Sequence, residues 1–152
     1  MTTNNYLDKP FGPVGTSSGV LIFIIGVITT YTSIYALLLV FIGAFVGFTS
    51  TSVLIDFDRR RIKFSNNFFG IIRLGHWINI EPTMKIGIKK SKKLWRTYSR
   101  SNRTLDMEIT DFRIILYDSK DKLIMPLKKT NSIESAKVEQ VILGNQLGLR
   151  LI

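Results

Sequence analysis

The chain of 152 residues has no cysteine, one histidine and four prolines, and over one long interval it carries no charge. Without cysteine there are no disulfides and no thiolate metal sites, a composition compatible with a reducing cytosol. His76 has no acid close to it in sequence and reads as a packed or interfacial residue, because a metal site needs several converging donors. No phosphate-cradling glycine loop, nucleophile elbow or paired-histidine motif is present. Asp56 and Asp58 read as a strand-to-turn pair beside Arg59, Arg60 and Arg61 rather than as a cation site. These absences point to a non-catalytic chain with no metal and no cofactor.

The missing charge is the most informative lack. No Asp, Glu, Lys or Arg occurs between Lys9 and Asp56, and most of that interval is apolar, aromatic or glycine. Soluble surfaces need water-facing groups at closer spacing, whereas a bilayer core demands their absence. A helix rises about 1.5 Å per residue and needs roughly 20 apolar residues to cross about 30 Å of hydrocarbon. A polar break at Thr29, Thr30, Tyr31, Thr32 and Ser33 divides the interval. The expected organisation is an N-terminal tail over 1–16, transmembrane helices over about 17–31 and 34–55, and a cytoplasmic domain over 51–152. A secretory signal peptide fits poorly, since the leading segment balances Lys9 with Asp8 and a second apolar arm follows at once.

Of 21 Lys and Arg residues only Lys9 precedes the two arms, while Arg59, Arg60, Arg61, Lys63 and Arg73 lie close behind them. Positive residues near span ends stay on the cytoplasmic side, so both termini are expected in the cytoplasm. That placement also explains the net charge of +10 without nucleic acid, whose binding is not expected.

Beyond the arms the pattern is mainly that of strands. SVLIDFD, RIKFSNNFFG and IIRLGHWINI read as three strands. In TMKIGIKK, Met84, Ile86 and Ile88 alternate with Lys85 and Lys89, and Leu105, Met107 and Ile109 alternate with Asp106 and Glu108. RIILYDSKDKLIMPL reads as a hairpin around Ser119, Lys120 and Asp121, with Pro126 marking an edge or a bulge. Asn131 with Glu134 has the form of a capping box before a C-terminal helix that Gly144 or Gly148 ends.

Six or seven antiparallel strands, as a sheet or partly open barrel closed by one C-terminal helix, form the plan of a pleckstrin-homology-like (PH-like) domain. Gly75 to Trp77, the YSRSNRT stretch from Tyr98 to Thr104, the LYDSKDK hairpin and the terminal QLGLRLI resemble those of small bacterial membrane proteins. In that group a two-helix transmembrane hairpin precedes a cytoplasmic PH-like domain. The resemblance runs from about Gly19 to the C-terminus. It implies a binding or scaffolding domain tied to the inner membrane, and it brings no catalytic residues.

The strongest local chemistry is the acid-free run with Lys85, Lys89, Lys90, Lys92, Lys93, Arg96, Arg100 and Arg103, interleaved with Trp95 and Tyr98. Near an anionic leaflet each surface cation contributes on the order of 1 kcal/mol, and Trp and Tyr suit the headgroup zone. Three readings of the run stay open: anionic phospholipid headgroups, an acidic protein partner, or the solvated outward positions of two long strands. Gly43 and Gly47, at G-x-x-x-G spacing, and Gly26 allow close helix approach, either between the two arms or within a homo-oligomer. The expected function is a membrane-anchored binding or scaffolding module. The alternative is an accessory or assembly subunit of a larger inner-membrane complex.

Overall fold

The computed structural model describes residues 1–98 and 104–152. In chain order these form β1 (Thr2–Tyr6), α1 (Gly12–Thr29), a 3-10 turn (Ile34–Ala36), α2 (Leu37–Phe48), β2 (Ser50–Asp56) and β3 (Arg61–Phe68). Then come β4 (Ile72–Leu74), β5 (Trp77–Asn79), β6 (Lys85–Tyr98), β7 (Thr104–Tyr117), β8 (Leu123–Thr130), α3 (Ile133–Leu147) and β9 (Arg150–Leu151). One sheet has the order β1-β2-β3-β4 with β5 also on β3, and the other has the order β8-β7-β6-β9. Two compact units divide the chain. One comprises Asp8–Ser52 and Ser65–Gly75, the other Met1–Leu7, Val53–Phe64 and His76–Ile152.

The first of these, the helical unit, contains α1 and α2. α1 begins at Gly12, earlier than the expected 17, with Pro13 in its first turn, where a fixed φ and a missing N–H cost nothing. At its other end the Thr29 hydroxyl donates to the Ile25 carbonyl at 2.8 Å and the Thr30 hydroxyl to the Gly26 carbonyl at 2.7 Å. Carbonyls left over at the helix end are thus satisfied without a charged side chain. With a mean hydropathy of 1.7, Gly12–Thr29 is long and apolar enough to cross a membrane, and Ile34–Phe48 is apolar but shorter.

The second arm departs from expectation. Helix was expected to Ile55, but it stops at Phe48, and β2 takes over from Ser50. Thr49, Ser50, Thr51 and Ser52 compete for backbone hydrogen bonds or are β-branched, and the β-branched Val53 and Ile55 favour the pleated strand that follows. The backbone N–H of Thr51 donates to the Asp8 carbonyl at 2.8 Å. The segment expected as tail likewise contains β1.

The second unit holds the core. Val53, Ile55, Ile62, Ile86, Ile114, Leu116 and Leu127 are fully buried, joined by Leu143 and Leu147 of α3. β6 and β7 pair antiparallel over their whole length, from Lys85 opposite Tyr117 to Tyr98 opposite Thr104. β8 is an edge strand, and the ladder shifts register between Ile114 and Ile115, where Pro126 stands opposite Ile115. A residue without an N–H is tolerated at that point. The single strand expected over 71–80 is two short ones, β4 and β5, interrupted at Gly75 and His76.

α3 is capped one residue later than expected. Ser132, not Asn131, is the N-cap, and its Oγ accepts from the Ser135 N–H at 3.1 Å. Gly148 ends the helix in the left-handed region with φ +64°, while Gly144 lies within it. Gln140 is buried and donates to the carbonyls of Ile86 at 2.8 Å and Ile152 at 3.0 Å. That amide ties α3 to the edge of β6.

Candidate functional site

The basic run becomes half of a two-stranded ribbon. β9 lies beside β6 only at Lys85 and Ile86, and β8 lies beside β7 only from Phe112 to Tyr117. Beyond these points, residues 89–98 and 104–111 pair only with each other among the described residues. Along residues 89–96 and 106–110 no side chain is fully buried.

Strand alternation splits the candidate residues between two faces. Lys85, Lys89, Lys93 and Trp95 fall on one face, with Trp95 opposite Met107 and Lys93 opposite Ile109. Lys90, Lys92 and Arg96 fall on the other, with Leu94 between them opposite Glu108. Tyr98 ends β6 opposite Thr104. Arg100 and Arg103 lie outside the described residues.

Acids from β7 and from the β7–β8 turn meet these cations, although none occurs in the run itself. Arg96 grips Asp106 with two bonds, Nε to Oδ1 at 2.8 Å and Nη2 to Oδ2 at 2.9 Å. Lys92 pairs with Glu108 at 3.1 Å, and Lys85 pairs with Asp121 at 2.6 Å. The hydrogen bonds and charge of Arg96 hold the Asp106 carboxyl below its ordinary value, and those of Lys92 do the same for Glu108. Both acids are therefore ionised at neutral pH, and the ribbon carries far less net charge than β6 alone. The signal for this was present in DMEITD, whose Asp106 and Glu108 alternate on one face of β7, Asp106 directly opposite Arg96 and Glu108 diagonal to Lys92.

At the base of the ribbon lies an ion cluster that sequence reading missed. Asp111 is only 1% exposed and takes two bonds from Arg113, at 2.8 and 3.1 Å, with Lys129 of β8 at 3.2 Å. Burial pushes the Asp111 carboxyl up, but the bonds and charges of Arg113 and Lys129 outweigh it and leave the group below its ordinary value. The cluster joins β7 to β8 and is structural.

His76 is exposed, and no group of three or more His, Asp or Glu able to hold a metal occurs among the described residues. Burial pushes Asp56 up, yet the Arg59 N–H at 3.3 Å and Arg61 Nε at 3.1 Å hold it below the ordinary value. Arg61 also lies 4.3 Å from the Trp77 ring centre, a cation–π contact.

In the helical unit, the candidate glycines all face the other helix. A Cβ on Gly26 would stand 2.7 Å from the Val40 nitrogen, one on Gly43 would collide with the Phe23 backbone, and one on Gly47 would stand 3.0 Å from the Val20 nitrogen. Gly19, which was not singled out from the sequence, meets Gly47 in the same way, at 2.5 Å. Leu21, Ile24 and Ile28 of α1 and Leu38, Phe41 and Ile42 of α2 are left exposed. An apolar cavity of about 690 Å³ in this unit is lined by Phe23, Phe41, Phe48, Phe69, Ile71 and Ile72 among others. In comparisons with known proteins, no family model matches the chain, and neither does any curated protein or solved structure.

Proposed function

We propose that the chain is a membrane-anchored, non-catalytic binding or scaffolding module of the bacterial inner membrane, with both termini in the cytoplasm. One observation carries this reading: α1 and α2 set Gly19, Gly26, Gly43 and Gly47 against each other and turn large apolar side chains outward, in an interval without a single charge. Water exacts a cost of roughly 25 cal/mol for each Å² of such surface, whereas lipid does not. Two antiparallel helices, forming a transmembrane hairpin, satisfy their own backbone groups and need no further partner.

The domain that follows is read as PH-like, with α3 packed against a sheet that is antiparallel except where β9 runs parallel to β6. Its binding surface is the ribbon of β6 and β7. Because Asp106 and Glu108 already engage Arg96 and Lys92, that surface suits a protein partner better than anionic headgroups. The alternative of an accessory subunit buried within a larger membrane complex has less support, since Gly26, Gly43 and Gly47 are used inside the chain.

Fractionation tests the anchor. The full chain stays with membranes through an alkaline wash and through high salt, and protease reaches residues 85–130 in inside-out vesicles only. Release by salt alone would reduce the attachment to surface charge. For the ribbon, amide exchange of the full chain reconstituted in vesicles separates the partners: protection of residues 89–96 is the same in phosphatidylcholine and phosphatidylglycerol if the ribbon serves a protein, whereas it rises with phosphatidylglycerol in the wild type, and not in Lys89→Glu with Lys90→Glu, if headgroups are the ligand.

A further inference from the structure

The turn between β3 and β4 belongs to the same compact unit as the two helices. Its composition is unusual for a tight turn. Residues 64–72 carry no charge, Lys63 and Arg73 bound them, and no acid occurs between Asp58 and Glu81. Ile71 is 82% exposed at the tip, with Ile72 at 51% and Leu74 at 57% sharing one face of β4. Phe69 is held at φ +55° and Gly70 at φ +71°, with the Ile71 N–H donating to the Phe68 carbonyl at 3.1 Å. Two positive φ values in succession are those of a type I′ turn, whose first central position favours Asn, Asp or Gly. A phenylalanine there is strained, and strain of this kind persists where the side chain has a use.

Both turn phenylalanines lean on α2. Phe68 stacks on Phe45 with ring centres 6.0 Å apart, and Phe69 meets the same ring edge-on at 5.6 Å. The turn thus continues the apolar surface of the helices near the end of α2 at Phe48, which is the cytoplasmic end under the proposed topology. Phe69, Ile71 and Ile72 also form one wall of the apolar cavity, with Phe23, Phe41 and Phe48 on the other.

From this we infer that the β3–β4 turn is a third membrane-contacting element, a wedge that enters the cytoplasmic leaflet beside α2 and closes the apolar cavity around a phospholipid acyl chain. The inference rests on the anchor reading above. Arg73, in the same unit just past the turn, stands at headgroup level with a charge that suits anionic lipid. Depth is limited by the backbone: β4 is an edge strand, and its open N–H and C=O groups need water or headgroups, so the tip stops about 5–10 Å into the interface.

The absence of cysteine makes the test direct, because one introduced thiol can be labelled alone. Ile71→Cys, Ile42→Cys on α2 and Lys120→Cys in the β7–β8 turn are each labelled with an environment-sensitive fluorophore. The full chain is then reconstituted in phosphatidylcholine–phosphatidylglycerol vesicles. The Ile71 label is expected to be quenched by lipids spin-labelled near the carbonyl end of the chain more than by deeply labelled lipids, and to be shielded from iodide. Lys120 should behave in the opposite way. An Ile71 label quenched by iodide while the Ile42 label lies in lipid overturns the wedge and leaves the anchor standing. Both labels in water overturn the anchor and the wedge together. Should Ile71→Cys fail to reconstitute, Leu74→Cys on the same apolar surface decides between these outcomes.

Discussion

At the scale of single residues, the most consequential side chain is Asp111. It is buried beneath two cations, Arg113 and Lys129, that are themselves only partly exposed. Asp111→Asn removes the carboxylate that both cations meet, and loss of one partner of a buried network costs about 2–4 kcal/mol when the remaining charges retain some water. Denaturant unfolding of the full chain in detergent measures this. The pH dependence follows from the same contacts. Because the folded-state value lies below the ordinary 3.8, the stabilisation is complete above 3.8 and disappears as pH falls through the lower folded value. The wild-type chain should therefore lose more stability in acid below 3.8 than Asp111→Asn does, the remainder in both coming from Asp56, Asp106 and Glu108. Gly43 makes a second residue-scale prediction. Gly43→Val drives side-chain atoms into the Phe23 backbone and should destabilise the helix pair by about 1–3 kcal/mol, seen as a lower unfolding midpoint in micelles. Val27→Ala, on the outward side of α1, should leave that midpoint nearly unchanged.

At the scale of elements, hydrogen-bond pattern and burial disagree along β6 and β7. The ladder has the same fourteen-residue length on both strands, yet a third strand and a buried face support only its proximal part. Two-stranded ribbons are marginal alone, and local opening follows burial. Amide exchange should therefore be fast at residues 92–95 and 107–110 and slow at residues 86–88 and 114–116, a contrast that mass spectrometry of deuterated peptides can resolve. Uniform protection along both strands would show that another surface covers the distal part. The cap of α3 gives a sharper mutational contrast: Ser132→Ala should cost about 1 kcal/mol and Asn131→Ala a few tenths, reversing the preference expected from sequence. These elements also show what sequence could and could not reveal. Period-two alternation located the core positions Met84 and Ile86, turn residues located the turn at 119–121, and Pro126 marked a strand that is both at the edge and irregular in register, because each depends on neighbours in sequence. The neutralisation of Arg96 by Asp106, of Lys92 by Glu108, and the facing of Gly43 toward Phe23 depend on register and helix rotation. An acid-free stretch of sequence therefore gave a false picture of charge in space. The end of α2 at Phe48 was hidden for a related reason, since Val53, Leu54 and Ile55 are as apolar as a membrane helix and only pairing makes them a strand.

At the scale of the whole molecule, the question is which solvent the exposed apolar surface of α1 and α2 meets, and a single substitution distinguishes the two answers. Ile42 lies near the middle of α2 and is 53% exposed, pointing away from the glycines that contact α1. If that surface met water, Ile42→Arg would replace an unfavourable exposed side chain by a favourable one, and soluble yield would hold or rise. If it meets hydrocarbon, the same change places a cation near the middle of a span, at about 2.5–3.5 kcal/mol on the insertion scale. α2 has little reserve against such a loss, because Ile34–Phe48 is already short for a bilayer crossing. The expected result is that a large share of Ile42→Arg protein leaves the alkaline-washed membrane fraction, while Lys120→Arg, at a site already cationic and exposed, stays wholly within it. Unchanged membrane retention of Ile42→Arg, with intact fold by circular dichroism, would mean that α2 does not cross the bilayer and that attachment rests on α1 alone.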